Sequence, residues 1–521
     1  MTLTQWFLFF LAVQVIHFLG TWKLYKKAGF QAWQAAVPVY NAVILMKIIR
    51  RPWWWTILLF VPIVNLIMFP VVWVETLRSF GKTSTTDTLL GIVTLGFYIY
   101  YINYTQDVQH RPERDLIPKS TSGEWASSIL FAVVAATIVH TYVMQPFTIP
   151  TGSLERTLLI GDFLFVSKFH YGARTPMTTV SFPMVHDTIP VIKKKSYTNK
   201  PQLPYFRLPG FQDVELNDIV VFNWPVDTVS KFFTLNGEHY YKPVDKRSNY
   251  VKRCVGLPGD SLKIVDGKVY VNNKPLELPD RAKVQHSYKG EASGAFNPAQ
   301  IKKDYEITRF GFTQGNTFFS PAIPDKFVER FKNHPSVVSV EEILDNPNRI
   351  DPTVFPGGKS SLGNRDQMKS FWIPKEGETV DITVENLPMY KRIIEVYEGL
   401  DYSIDNTLST NGNQVLLNGE PLQQYTFKQN YYWMMGDNRH NSEDSRYWGF
   451  VPETHIVGKP VFVWLSLDQD EKGLKKIRWD RMFTTVGGDG QPVSYLLYAI
   501  VGAFIVVIAV KVIKKKKQQK K

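Results

Sequence analysis

The chain is poor in the groups that build metal centres. It has one cysteine, Cys254, in 521 residues. One cysteine cannot close an internal disulfide, and cysteine-rich zinc and iron–sulfur sites are excluded with it. Ten histidines are scattered without an H-E-x-x-H pairing, so neither a metal nor a metal-bound cofactor is expected. Acidic residues are also scarce where the chain is apolar. Lysine and arginine outnumber aspartate and glutamate by 60 to 47, a net charge of +13. A basic excess can serve nucleic acid or an anionic membrane surface. Here it sits beside apolar segments and in the tail Lys514 to Lys521, which favours lipid over nucleic acid as the partner.

Five stretches are apolar enough to leave water: Trp6–Gly20, Trp53–Val74, Leu89–Tyr104, Trp125–Met144 and Val493–Ile513. About 20 apolar residues cross a bilayer core as a helix, and about 17 can suffice. The last two stretches are free of acidic residues. The first lacks a positive leading region and a small-x-small site before Trp22–Lys27, so it reads as a retained helix and not a cleaved leader. Positive connections stay in the cytoplasm. Lys23, Lys26, Lys27, Lys47, Arg50 and Arg51 follow the first stretch, and Arg111, Arg114 and Lys119 precede the fourth. With the basic tail also inside, an odd number of spans is expected. The N-terminus and everything between the fourth and fifth stretches then lie outside.

The expected organisation is a multi-span membrane domain at 1–105, a cytoplasmic linker at 106–124 and a transmembrane helix at 125–145. A soluble body follows in two parts, 146–279 and 410–480, interrupted by an inserted subdomain at 280–409. A second transmembrane helix at 493–513 and a basic tail at 514–521 close the chain. The body reads as mainly β. Asp218–Phe222, Lys268–Val271 and Gln414–Leu417 are short β-prone runs bounded by Gly, Asn, Pro and Asp. VYVNNKPLE at Val269 and VLLNGEPLQ at Val415 echo each other. Each carries an Asn-Asn or Asn-Gly pair suited to a tight hairpin.

Three polar clusters could carry chemistry. Ser153 lies in IPTGSLERTLLIGD just past the fourth apolar stretch, where a substrate leaving the bilayer would meet it. Taken alone, an exposed Thr-Gly-Ser is more often only a turn. A serine nucleophile needs a base. Lys252, in YVKRCVGLPGD, stands between Val251 and Val255 in an apolar strand pattern. A lysine so placed can lose its charge, although most lysines snorkel to water. Beside it, Cys254 reads better as a packed small side chain than as a reactive thiol. MMGDNRHNSEDSRYWGFVP, from Met434 to Pro452, is dense in polar residues and glycine and reads as a functional loop or as a surface loop laced with ion pairs. His170 and His440 are the alternative bases for Ser153, but no G-x-S-x-G elbow surrounds that serine. His17 and His140 read as helix-packing residues.

Taken together, these clusters resemble the bacterial signal peptidase I family, from about Trp125 to Leu467 without the insertion. IPTGSLERTLLIGDFLFVSKFHYGARTP resembles the family's nucleophile box, DIVVF its next strand, YVKRCVGLPGD its lysine box and GDNRHNSEDSRYWGFVP its last signature loop. The resemblance implies a signal peptidase-type antiparallel β catalytic fold, here with an inserted β-rich subdomain and between the transmembrane helices read above at both ends. It implies endoproteolytic removal of N-terminal signal peptides from secretory preproteins, on the outer face of a bacterial inner membrane, with no cofactor. It makes Ser153 the nucleophile and Lys252 the base. Thr151 and the Ser153 amide would form the oxyanion hole, and Ser442 would orient the lysine. Asp444 with Arg446, and Asp437 with Arg253, would stiffen the loops. Ile149, Pro150, Leu154, Leu158, Tyr250 and Val251 would bind substrate. A silent assembly factor on the same fold is the alternative; the presence of Ser153, Lys252 and Ser442 together argues against it. Leu154, Arg156 and Asn249 depart from the usual family residues, which bears on pocket shape and loop stiffness. The residues before Tyr104 resemble a small membrane domain of unknown function found ahead of some such peptidases.

Overall fold

The computed structural model describes residues 2–117, 120–227, 240–313 and 316–519. Lys119 and the last two residues of the basic tail therefore lie outside the described residues. The chain forms two compact units, residues 1–143 with 174–207, and residues 144–173 with 208–521.

The first unit is helical: α1 (Leu3–Lys27), α2 (Tyr40–Ile48), α3 (Trp55–Leu58), α4 (Val64–Ser79), α5 (Thr85–Val93), α6 (Phe97–Thr105) and α7 (Thr121–Ile138). A capping box at Thr2 and Gln5 starts α1, and Lys26 and Lys27 end it, where cations suit the helix dipole. At 25 residues, α1 is about 37 Å long, enough for a bilayer core of about 30 Å. α7 continues through a single π turn to Val143. These two helices, Leu3–Lys27 and Thr121–Val143, are long and apolar enough to cross a membrane, and both leave most of that surface exposed.

The second and third apolar stretches are not continuous helices. Trp53–Val74 breaks before α4, where Ile63 takes a φ of 68°. Leu89–Tyr104 breaks between α5 and α6, where Gly96 is left-handed. Each nine-residue piece spans only about 14 Å. Met68, Val72, Ile99 and Ile102 from these stretches pack with Leu24 and Ile44 in the unit's own core, while Trp53, Ile57, Leu89, Val93 and Leu95 stay exposed. Gly20 lets α1 and α6 approach closely, because a Cβ there would fall inside the Tyr100 ring. Glu75, buried on α4, is held by Arg51 at 2.9 Å and Arg114 at 2.6 Å.

The second unit is mainly β, and its strand pairs are antiparallel. The central sheet runs in the order Met144–Thr148, Asp162–Ser167, Ile456–Ser466, Ile219–Asn223, Asn249–Gly256, Tyr431–Met435, Val451–Pro452. A second sheet pairs Met368–Trp372 with Ser261–Val265, which continues to Lys268–Val271 and Lys274–Pro275. The expected hairpins form: Asn272 and Asn273 turn with φ of 51° and 64°, Asn418 and Gly419 with 54° and 89°. Side chains with short polar groups, and glycine, reach this left-handed region at least cost.

Residues 280–409 divide between two cores. Strands Gln285–Ala292, Thr317–Pro324 and Val337–Glu342 pack on an aromatic cluster around Phe318 and Phe331. Residues from Val354 to Leu408 share one large core with Val255, Leu262, Trp433 and Phe450. A helix of 24 residues, Leu496–Gln519, ends the described chain.

Candidate active site

The first stretch of the unit places a serine on a short turn. Met144–Thr148 runs as an edge strand, Pro150 and Thr151 follow exposed, and Gly152–Leu154 closes a single 3-10 turn. Leu154 and Leu158 point into an apolar cluster with Ile149, Leu164, Val166 and Ile219, and half-buried Val251 packs against it. That burial pins the turn and leaves Ser153 at its edge, 9% exposed. Four of the six expected substrate-binding residues, Ile149, Leu154, Leu158 and Val251, thus belong to one apolar cluster. Tyr250 lies apart from it, stacked on Trp224 at 5.2 Å and edge-on to Trp448 at 5.3 Å.

Lys252 stands in the middle of Asn249–Gly256, opposite Val220 of the neighbouring strand. Strands alternate their side chains between faces, so Lys252 and Arg253 face opposite ways. Lys252 is 2% exposed. Burial is the largest influence on its amine and lowers the pKa from 10.5 to about 8; Asp444, Glu443 and Asp437 pull it up and Arg446 pushes it down. Arg253 makes a buried bidentate pair with Asp437, at 2.8 and 2.7 Å. Cys254 is fully buried, and burial pushes its thiol well up, so it is a packing residue.

The loop after Tyr431–Met435 meets both elements. Asn438 donates its backbone N–H to the Ser153 carbonyl at 3.0 Å and its side-chain amide to the Gly152 carbonyl at 3.1 Å. Thr157 donates to Asp437 at 2.6 Å. Asp444 and Arg446 form a second buried pair at 2.9 Å, and Asp444 also accepts from the Gly436 N–H at 3.1 Å. Arg446 and Arg253 hold both carboxyls, Asp444 and Asp437, below their ordinary range against the opposing push of burial.

Gly436 sets the closest approach. A Cβ there would lie 2.3 Å from Ser442 Oγ and 2.6 Å from the Ser153 carbonyl. Those two oxygens are therefore no more than the 4.9 Å sum of these distances apart. The Ser442 hydroxyl is buried and finds no partner among the described residues. Ser153 Oγ and Lys252 Nζ likewise share no hydrogen bond among them. Gly436→Ala is expected to cut any turnover at this site by about 100-fold, because one of the crowded atoms is backbone and the Ser153 turn and Ser442 must move apart. Near-wild-type turnover of a folded Gly436→Ala protein would show that this contact does not position the site.

Neither histidine expected as an alternative base reaches Ser153. His440 accepts from the Ser287 N–H at 3.1 Å and so donates Nε2–H to Asp366 at 2.8 Å. His170 bonds Ser167. His17 bonds the Tyr25 hydroxyl at 3.2 Å. Among the described residues no cluster of His, Cys, Asp and Glu could hold a metal. Sequence reasoning missed Gly436, Thr157, Asn438 and Gln285. Gln285 donates its backbone N–H to the Asp437 carbonyl at 2.8 Å and its amide to the Glu155 carbonyl at 2.5 Å. Only the Gly-Asp pair after an apolar strand hinted at Gly436.

This chain is similar to known proteins. A family described as "Signal peptidase, peptidase S26" matches residues 122–325 and 375–465, more than half of the chain. A family of unknown function matches residues 33–111. Signal peptidase I of Haemophilus influenzae is 26% identical over 383 residues, 71% of this chain and 77% of its own. Signal peptidase I of Buchnera aphidicola from Acyrthosiphon pisum is 26% identical over 341 residues, 65% of this chain and 73% of its own. A signal peptidase I structure from Enterococcus faecalis covers 48% of this chain and 97% of its own at 14% identity and a TM-score of 0.16, a superposition too loose for residue-by-residue comparison. The match to the family runs through the serine turn, the lysine strand and the loop that ties them together, and by it this chain belongs to the signal peptidase family, peptidase S26.

Proposed function

We propose that this protein is a membrane-anchored endopeptidase that removes N-terminal signal peptides from exported preproteins with a serine–lysine dyad. The observation that carries this is Lys252: a lysine 2% exposed, its pKa lowered to about 8, on the strand beside the Ser153 turn. Only a neutral amine can take a proton, and burial supplies one near neutral pH.

In the proposed reaction, Lys252 Nζ takes the hydroxyl proton of Ser153 as Oγ attacks the carbonyl carbon before the cut. The oxyanion is held by the Ser153 N–H and the Thr151 hydroxyl, donors worth roughly 3–4 kcal/mol each. Lys252 returns its proton to the departing amine, which leaves an acyl-enzyme. Water, deprotonated by the same amine, then releases the acid and restores the serine. Ser442 is a positioning residue: its lone buried hydroxyl can aim the amine without adding charge. The wall of Ile149, Leu154, Leu158 and Val251 favours small residues before the cut, because apolar walls reject larger side chains by clash. Full-length protein in detergent should cut a preprotein with Ala before the junction and spare one with Phe there. Failure to cut any such preprotein would overturn the reading.

The membrane reading places the N-terminus and the catalytic body outside a bacterial inner membrane. One contact bears, independently of charge, on whether the two ends of this unit lie on the same side. The Trp6 indole N–H, in the first turn of α1, donates to the Gln202 carbonyl at 3.0 Å. Gln202 follows α7, so the start of α1 and the segment after α7 share one side. A reporter fused within 280–300 should be translocated, and one fused after Lys521 should stay in the cytoplasm. Both on one side would refute the odd number of spans.

A further inference from the structure

One part of the helical unit does not fold as helix and is not absorbed by the peptidase chemistry. Residues 174–207 form a long antiparallel arm, bridged at Arg174 and Arg207, Thr178 and Gln202, Ser181 and Tyr197, and Thr188 and Lys195. Its tip is closed by two backbone hydrogen bonds. The Lys193 N–H donates to the Ile189 carbonyl at 2.9 Å, and the Ile189 N–H to the Lys194 carbonyl at 2.8 Å. This leaves Pro190, Val191 and Ile192 projecting. Val191 is 89% exposed and Ile192 57%; Phe182 and Met184 are exposed further down the arm. Water-facing loops rarely place adjacent large apolar residues at such exposure without a partner surface.

The charges beside the tip say what that surface is. Lys193 and Lys194 follow Ile192 directly and are exposed. Along the whole arm, Arg174, Lys193, Lys194, Lys195, Lys200 and Arg207 stand against the single acid Asp187. Apolar side chains at a tip with cations just behind them match the layering of a membrane interface: acyl chains beneath, anionic headgroups above. A protein groove would supply the apolar half without a reason for the lysines. The arm is also fastened to a helix of membrane-spanning length, by Trp6 to Gln202 at 3.0 Å, at the helix end where an interface would lie. Tryptophan favours that depth.

We propose that the tip Pro190–Lys194 is a membrane-docking element that inserts Val191 and Ile192 at the outer interface and binds anionic lipid through Lys193 and Lys194. The inference rests on the membrane reading of α1 and is independent of the Ser153 and Lys252 chemistry.

The test uses full-length protein labelled with an environment-sensitive fluorophore at Val191→Cys or, separately, Phe9→Cys, in vesicles of phosphatidylcholine with or without phosphatidylglycerol. Cys254 is buried and does not compete for label. Both labels should be quenched by brominated lipid and shielded from aqueous iodide. Phosphatidylglycerol should deepen quenching at Val191 by about twofold, and Lys193→Glu with Lys194→Glu should abolish that gain. Quenching at Phe9 but not Val191 would overturn the docking element alone. Quenching at neither would overturn the membrane reading of α1 with it. A Val191 label shielded from both quenchers would mean a protein partner and would also overturn the proposal. Insensitivity to phosphatidylglycerol would overturn the anionic-lipid contact.

Discussion

Ser153→Ala should reduce cleavage of a preprotein to background, a loss of at least about 10⁴-fold, while the protein stays folded and membrane-inserted. The size follows from the chemistry. Without Oγ no acyl-enzyme forms, and the remaining donors can polarise a carbonyl but cannot attack it. The intactness follows from the contacts. The turn is held by Leu154 and Leu158 in the apolar wall and by the Asn438 N–H on the Ser153 carbonyl, none of which uses the hydroxyl. Thermal unfolding should therefore coincide with wild type, and loss of activity by misfolding is separated from loss by chemistry. Substantial turnover by a folded Ser153→Ala protein would remove Ser153 as nucleophile. His440 would not inherit a role, since both of its ring nitrogens are already engaged by Ser287 and Asp366.

What could be read from sequence was whatever local patterning controls. The hairpins at Asn272–Asn273 and Asn418–Gly419 follow from residues that tolerate positive φ between β-prone runs. The pairs Arg253–Asp437 and Asp444–Arg446 came from resemblance and not from spacing; 184 residues separate the first pair, and no local signal joins them. The apolar stretches were legible as apolar but not as continuous. Ile63 and Gly96 adopt positive φ inside them, and a hydropathy pattern cannot see a backbone turn whose side chains remain apolar. Long-range pairing was the least visible part. Met368–Trp372 joins Ser261–Val265 across about a hundred residues of chain, so a segment that looks like an insertion shares the core of its flanks. Gln285 is hidden for the same reason. It contacts the Ser153 turn through a backbone carbonyl, which any residue at Glu155 would present.

Lys252→Met should be inactive and yet more stable than wild type at pH 7. An amine with a pKa of 10.5 is neutral about 0.03% of the time at pH 7, and one at about 8 roughly 10%, a gain of about 300-fold in competent base. The rate of cleavage should accordingly rise with pH along a limb centred near 8. Lys252→Arg should be as inactive as Lys252→Met, because guanidinium keeps its proton throughout this range. The stability change has a definite sign. The folded pKa lies below the unfolded one, so between about pH 8 and 10.5 the unfolded chain binds one proton more than the native protein, and stability rises with pH across that window. Below pH 8 the native state carries the full cost of a charged amine in a buried site, roughly 3 kcal/mol for a shift of this size. Methionine fills a similar volume without the charge, so Lys252→Met should unfold at higher temperature at pH 7, and the advantage should shrink as pH approaches 10.5. Asp444 keeps Arg446 as its partner in that variant, which limits the loss to the weaker attraction from Lys252. Equal or lower stability of Lys252→Met at pH 7, together with a rate limb centred above pH 10, would show that burial does not lower the pKa of the amine and that it acts as a charge instead.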